Sequence, residues 1–335
     1  MRCLLLLGYL ITVTIGCNGP KGNLIQVTGE AQGTSYNISY ISKNKASLKP
    51  AIDSLLREID SSLSTYLPVS IISRMNRNDT NAKADRYFTD VFNKSIEIGN
   101  ATEGLFDVTI APLVNAWGFG PGAKTNIDSS VIDSLKLLVG YRMLQLQNGK
   151  LLKDKPGIQL DFNALAQGYS VDIIAAMLND RGINNYLVEL GGELKAHGSK
   201  FGDSWKVGID QPDSSMADGR KLEAVIELND RALATSGSYR KYFTDNGQRY
   251  THIIDPRTGY PIKQTLLSTT VLAQDAMTAD AYATAFLVMG IEASSRFIGD
   301  HPELYLDAFF IYDVGGAWKT FSTANIKKLV RLTGD

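Results

Sequence analysis

The sequence predicts an α+β fold in one compact domain. Three observations lead there. Segments with the two-residue period of strands and segments with helical period follow one another in irregular order, without the strict alternation of βαβ units. No internal repeat or low-complexity stretch interrupts the 335 residues. Hydrophobic residues make up 44% and charged residues 21%, ordinary globular usage that excludes a disordered chain. With 34 basic against 35 acidic side chains, the formal charge of −1 offers no field to recruit nucleic acid nonspecifically.

Taken in order, Ile25 to Ile41 alternates apolar residues around Gly33-Thr34, predicting two strands joined by a tight bend. Pro50 opens a helix whose Ile52, Leu55, Leu56, Ile59 and Leu63 share one face. Further helices are predicted over Tyr87–Ile98 and Ser129–Leu138. Gln147-Asn148-Gly149 reads as a hairpin turn between two short strands. Ile158–Phe162 is predicted as a strand feeding a helix from Ala164 to Leu178. Strands are expected at Tyr186–Leu190, Trp205–Ile209, Ala224–Leu228, Tyr250–Ile254, Ser268–Leu272 and Phe309–Tyr312, and an alanine-rich helix over Ala276–Met289.

The amino terminus has another character. One positive charge, Arg2, precedes about a dozen apolar residues and then Thr14-Ile15-Gly16-Cys17. That run is too short to span a membrane, which takes about 20 residues, and fits a secretory segment. Its end resembles a bacterial lipobox, although Thr14 stands where leucine is usual. Residues 1–16 are thus expected to be a cleaved signal peptide, 17–23 a tether lipidated at Cys17, and 24–335 the folded domain. Plain signal cleavage and an uncleaved anchor are the alternatives. The only cysteines are Cys3 and Cys17, so thiol nucleophiles and cysteine-based zinc sites are excluded from the domain.

Two constellations suggest chemistry. Asp280 and Thr284 lie four residues apart on the alanine-rich helix, stacking a carboxylate and a hydroxyl on one face. Such hard oxygens suit Mg²⁺, although a capping Asp and a Thr facing a polar pocket would read the same way. Asp161–Asp172 is a strand-to-helix junction with small residues, able either to offer helical N–H groups to a phosphate or simply to pack tightly. There is no GxGxxG or Walker A pattern, no Gly-x-Ser-x-Gly elbow and no His-Glu-x-x-His. Among three histidines, His252 precedes the turn Asp255-Pro-Arg-Thr-Gly259, where a base and an orienting carboxylate are conceivable. Trp117-Gly-Phe119-Gly is an aromatic loop that would stack on a planar ring or plug a core.

Taken together, these segments resemble the ApbE family, the FAD:protein FMN transferases. The ordered matches are Gly29–Tyr36, Ser64-Thr65-Tyr66 with Ile72–Asn76, Gly104–Thr109, Pro112–Gly120, Asp161–Asp172, Glu189–Glu193, Thr235-Ser236-Gly237, His252–Gly259 and Asp280–Thr284. The resemblance implies a T-fold-related domain that moves FMN from FAD to a Thr or Ser hydroxyl of an exported acceptor protein, releasing AMP. It implies Mg²⁺ bound by Asp280, Thr284 and the backbone carbonyl of Ala166. Gln32, Tyr66, Phe106, Asp107, Val108, Asn163, Tyr169 and Ile254 match positions lining the FAD site, and His252 and Asp255 match the catalytic turn as base and orienter. Two residues depart from the family pattern: Gln32 stands where Met is common, and Gln167 where Lys often stands, leaving one cation fewer near the pyrophosphate. Retained activity with altered affinity is expected. FAD hydrolysis to FMN and AMP, or FAD binding without turnover, are the alternative activities. The expected location is the periplasmic side of a bacterial membrane, held by the lipid.

Overall fold

The computed structural model describes residues 22–121, 127–212, 221–238, 242–245, 248–263 and 265–333. The expected signal segment, Cys17 and most of the expected tether lie outside them. The chain runs through strands β1 (Asn23–Ala31) and β2 (Thr34–Ser42), helices α1 (Lys49–Leu63), α2 (Ile71–Asn76), α3 (Arg86–Ala101), α4 (Ala111–Ala116) and α5 (Ser129–Lys136), and the hairpin β3 (Leu144–Gln147) and β4 (Lys150–Lys153). Next come α6 (Asn163–Asp180), β5 (Tyr186–Leu190), β6 (Glu193–His197), β7 (Trp205–Asp210), β8 (Leu222–Leu228), β9 (Ala232–Gly237), β10 (Tyr242–Asp245), β11 (Gln248–Thr251) and β12 (Leu266–Ala273). The chain closes with α7 (Ala276–Met289), α8 (Ile291–Asp300), β13 (Asp307–Val314), β14 (Ala317–Ser322) and β15 (Val330–Leu332).

An eight-stranded sheet in the order β1-β2-β5-β6-β9-β12-β13-β14 forms the centre, with every neighbouring pair antiparallel. The two-residue period of its strands sorts side chains between two layers. Ala234, Val271 and Phe310 face the helices, while Leu233, Leu272 and Phe309, one residue away, face a second sheet of β15, β8 and β7. Helix α7 is the hub of the helical layer. Twelve of its fourteen residues are buried, so it is apolar all round rather than amphipathic. No helix among the described residues is long and apolar enough to cross a membrane.

The α+β architecture and most elements stand where the sequence places them, including the tight bend at Gln32-Gly33, where both residues have positive φ. Two expectations are corrected. Ile158–Phe162 is no strand: Ile158, Leu160 and Phe162 are buried in alternation, but the segment joins no ladder. Its backbone is satisfied by the Asn76 amide, which donates to the Leu160 carbonyl at 2.8 Å and accepts its N–H at 2.7 Å, and by the Val108 carbonyl, which accepts the Asp161 N–H at 2.7 Å. Period two reports burial on one side, and a side chain can substitute for a neighbouring strand. The strand expected over Tyr250–Ile254 ends at Thr251, and Ile254 makes only an isolated bridge with Pro261.

Truncating Asn76 would strand both Leu160 groups. Asn76→Ala is expected to lose about 2–4 kcal/mol in urea unfolding, on the scale of two unsatisfied buried groups. A loss below ~0.5 kcal/mol would show that the segment is held by its apolar side chains alone.

Candidate functional site

Helices α6 and α7 cross with almost no space between them. A Cβ built on Gly168 would lie 2.3 Å from the Ala276 carbonyl oxygen, so only glycine is tolerated there. This contact lets the Gly168 N–H donate to Asp280 Oδ2 at 3.1 Å. The alanine-rich helix and the strand-to-helix corner, 112 residues apart in sequence, therefore meet at one carboxylate. Asp280 is only 5% exposed, and burial without a cationic partner pushes its carboxyl up to about 7.

Thr284, one turn further on, is one of only two α7 residues that stay partly accessible, and it shares a hydrogen bond with Ser236 at the end of β9 (3.0 Å). The Ala166 carbonyl accepts from Ser170 Oγ at 2.7 Å, and Ser170 in turn accepts from the Gln32 amide at 2.8 Å. Gln32 is thus drawn into the same neighbourhood by its turn. Among the described residues no three His, Cys, Asp or Glu side chains cluster. One carboxylate short of positive charge, with a hydroxyl and a carbonyl nearby, is a donor set suited to a small hard cation that completes its shell with water or phosphate.

The N–H groups that the junction was expected to expose are mostly engaged. Asn163 donates to its neighbour Asp161 (2.7 Å), Leu165 and Ala166 donate to the Phe162 carbonyl, and Gly168 donates to Asp280. An anion here would have to be neutralised by other means.

The positions matched to FAD divide into two kinds. Tyr66 is 58% exposed; desolvation of its hydroxyl and the charge of Asp161 raise its pKa. Asn163 is exposed at the start of α6, beside Asp161. These two are free to touch a ligand. Phe106 and Val108 are buried in the main core, and the Asp107 carboxylate turns inward to accept the Thr109 N–H, the Thr109 hydroxyl and the Tyr141 N–H. Burial raises the pKa of Asp107 despite those bonds. This stretch offers a ligand its backbone rather than its side chains. Tyr169 is likewise buried, its hydroxyl donated to Asp90 of α3 at 2.6 Å, so it serves as a wall.

His252 is half-buried, its ring edge-on to Phe119 with centroids 6.3 Å apart. The Asp255 carboxylate is engaged within its own turn. Both its oxygens take the Arg257 guanidinium, at 3.0 Å from Nε and 2.7 Å from Nη2. Burial would raise the Asp255 pKa, but the Arg257 bonds outweigh it and hold the carboxyl below its ordinary range. Asp255 therefore organises the turn that carries His252. Trp117 plugs this region: it is 7% exposed, donates Nε1 to the Gly259 carbonyl at 2.9 Å and stacks on Tyr250. Ile254 packs into the same cluster with Leu113 and Ile132. The other two histidines are occupied elsewhere, His197 with Asp230 (2.7 Å) and His301 stacked on Phe297.

Ser170, Ser236 and Asp172 fall within matched segments, but sequence reasoning assigned them no part of their own. Only the placement of β9 brings Ser236 to Thr284. Asp172 could have been found: it follows Gly168 by four residues and so shares the helix face turned to α7.

A model of the ApbE family matches residues 32–309. The chain is 39% identical over 287 residues to a FAD:protein FMN transferase of Vibrio cholerae serotype O1, spanning 83% of this chain and 84% of that protein. It is 34% identical over 321 residues to one from Haemophilus influenzae, spanning 91% of each. Among solved structures it resembles the flavin transferase ApbE from Vibrio cholerae (TM-score 0.81, 34% identity, 92% of this chain and 99% of that one). It also resembles the apo form of the Pseudomonas stutzeri flavinyl transferase ApbE (TM-score 0.81, 31% identity, 92% and 97%).

The Asp280 carboxyl binds its proton more tightly in the folded than in the unfolded chain, so stability falls as pH rises from about 4 through about 7. Without divalent cation, unfolding free energy should drop by a few kcal/mol over that range. Asp280→Asn should flatten the slope. An unchanged slope in Asp280→Asn would remove Asp280 as its origin.

Proposed function

The chain belongs to the ApbE family, and from that premise we propose that it transfers FMN from FAD to a Thr or Ser hydroxyl of an acceptor protein, with Mg²⁺ as cofactor and AMP as leaving group. The observation that carries this reading is the buried Asp280 carboxylate held against the corner of α6 by the Gly168 N–H. Asp280, Thr284 and the Ala166 carbonyl would hold the metal, which when bound neutralises charge growing on the pyrophosphate oxygens. Because most of the early N–H groups of α6 are already engaged, that neutralisation rests on the cation the carboxylate would hold.

The protein's own residues do the rest. Tyr66 and Asn163 border the entrance, and the backbone of the Phe106–Val108 stretch forms one wall. His252 takes the proton of the acceptor hydroxyl as its oxygen bonds to the FMN-side phosphorus and the bond to AMP breaks. Asp255, locked to Arg257, keeps the turn bearing His252 in place. Gln167 lies beside Gly191 and Glu193 and brings no positive charge, so nucleotide affinity depends the more on the metal. The amino-terminal sequence supports export and acylation of Cys17, holding the enzyme on the periplasmic face where an exported acceptor is within reach.

The purified protein, given FAD, Mg²⁺ and an exported acceptor domain, should add the mass of one FMN to that domain and release AMP. Asp280→Ala should abolish this, and His252→Ala should slow it by about 10²–10⁴. FMN and AMP set free without labelled acceptor would convert the reading to FAD hydrolysis; bound FAD with no AMP would make the protein a carrier. Cys17→Ser should lose incorporated fatty acid and membrane association while keeping transfer in solution. Continued acylation of that variant would remove Cys17 as the lipid site.

A further inference from the structure

Helix α7 has two carboxylates at its start, and one is enough to cap it. Asp275, the residue before the helix, accepts the Thr278 N–H at 2.8 Å in the ordinary way. The second, Asp172, comes from α6. Its Oδ1 accepts the Ala276 N–H at 3.1 Å and its Oδ2 the Met277 N–H at 2.9 Å, while Lys195 of β6 reaches Oδ1 at 2.7 Å. Burial works against the Lys195 ammonium, but the Asp172 carboxylate outweighs it and tightens its hold on the proton. A largely buried ion pair of this kind adds little net stability and is best attested as a device that fixes register.

The register concerned is the one between the two helices that bear the oxygens of the metal site. Asp172 lies one turn beyond Gly168 on the same face, and Gly168 is the residue that touches both Ala276 and Asp280. Sliding α7 along α6 would move Asp280 and Thr284 relative to the Ala166 carbonyl. Mg²⁺ tolerates little of this, because it demands near-octahedral oxygens at about 2.0–2.1 Å.

We infer that Asp172, braced by Lys195, is a positioning residue that locks α7 onto α6 and so sets the affinity of the site for its divalent cation. The inference rests on the metal reading above, and its test reads metal binding rather than transfer. The full chain is titrated with Mg²⁺ alone, and binding is followed by calorimetry and by the rise in melting temperature. Asp172→Asn should weaken the Mg²⁺ dissociation constant about tenfold or more, within the range known for residues that orient metal ligands. Lys195→Met, which keeps the cap but removes its brace, should weaken it several-fold, and decides the matter if Asp172→Asn does not fold. Ile174→Ala, a cavity on the same helix, should lower the melting temperature yet leave the Mg²⁺ constant within twofold. Unchanged Mg²⁺ affinity in the Asp172 and Lys195 variants, or an equal loss in Ile174→Ala, would overturn the inference and leave the metal reading intact. No Mg²⁺ response in the unsubstituted protein would defeat the metal reading and this inference together.

Discussion

The absence of a side chain at Gly168 is the constraint on which the site depends. With the Ala276 carbonyl 2.3 Å from where a Cβ would stand, no other residue lets α6 approach α7 so closely. The hydrogen bond from Gly168 to Asp280, the nearness of Ala166, and the reach of Asp172 to the start of α7 all follow from that approach. The alanines of α7 serve the same end from the other side. Small side chains let the helix lie against β9 and β12 while α6 presses on its opposite face.

A carboxylate placed in so apolar a setting is costly, because burial disfavours its charge and the described contacts return only one backbone hydrogen bond. Folded proteins retain such a group where its charge has a use. Among the described residues other carboxylates removed from water have more support: Asp172 has Lys195 and two helix N–H groups, Asp307 has Arg231, and Asp107 has three neutral donors, whereas Glu193 keeps one oxygen without a hydrogen bond. Asp280 has the least, a single backbone N–H and no cation among the described residues.

Much of this could be read from the chain before folding. The helical stripe of α1, the hairpin at Asn148-Gly149, the alanine-rich α7 and the spacing of Asp280 and Thr284 are all local patterns, and local patterns survive in sequence. What escaped is long-range. β9, β14 and β15 are short or polar and become strands only because neighbours supply their ladders. Ile158–Phe162 carries the right period and no partner strand, because Asn76 satisfies its backbone. Spacing and the family resemblance place Asp255 beside His252, but neither shows that a bidentate guanidinium two residues away takes both of its oxygens. The family resemblance says nothing of the direction in which Asp107 and Tyr169 point.

The first strand also acts as a ruler. β1 enters the sheet at Asn23 and delivers Gln32 to the bend beside Ser170. Nine residues of extended chain measure about 30 Å. The start of β1 and the corner of α6 at Ser170 are therefore kept at opposite ends of one rigid rod, and whatever happens to the chain ahead of Asn23 reaches that corner only through the strand.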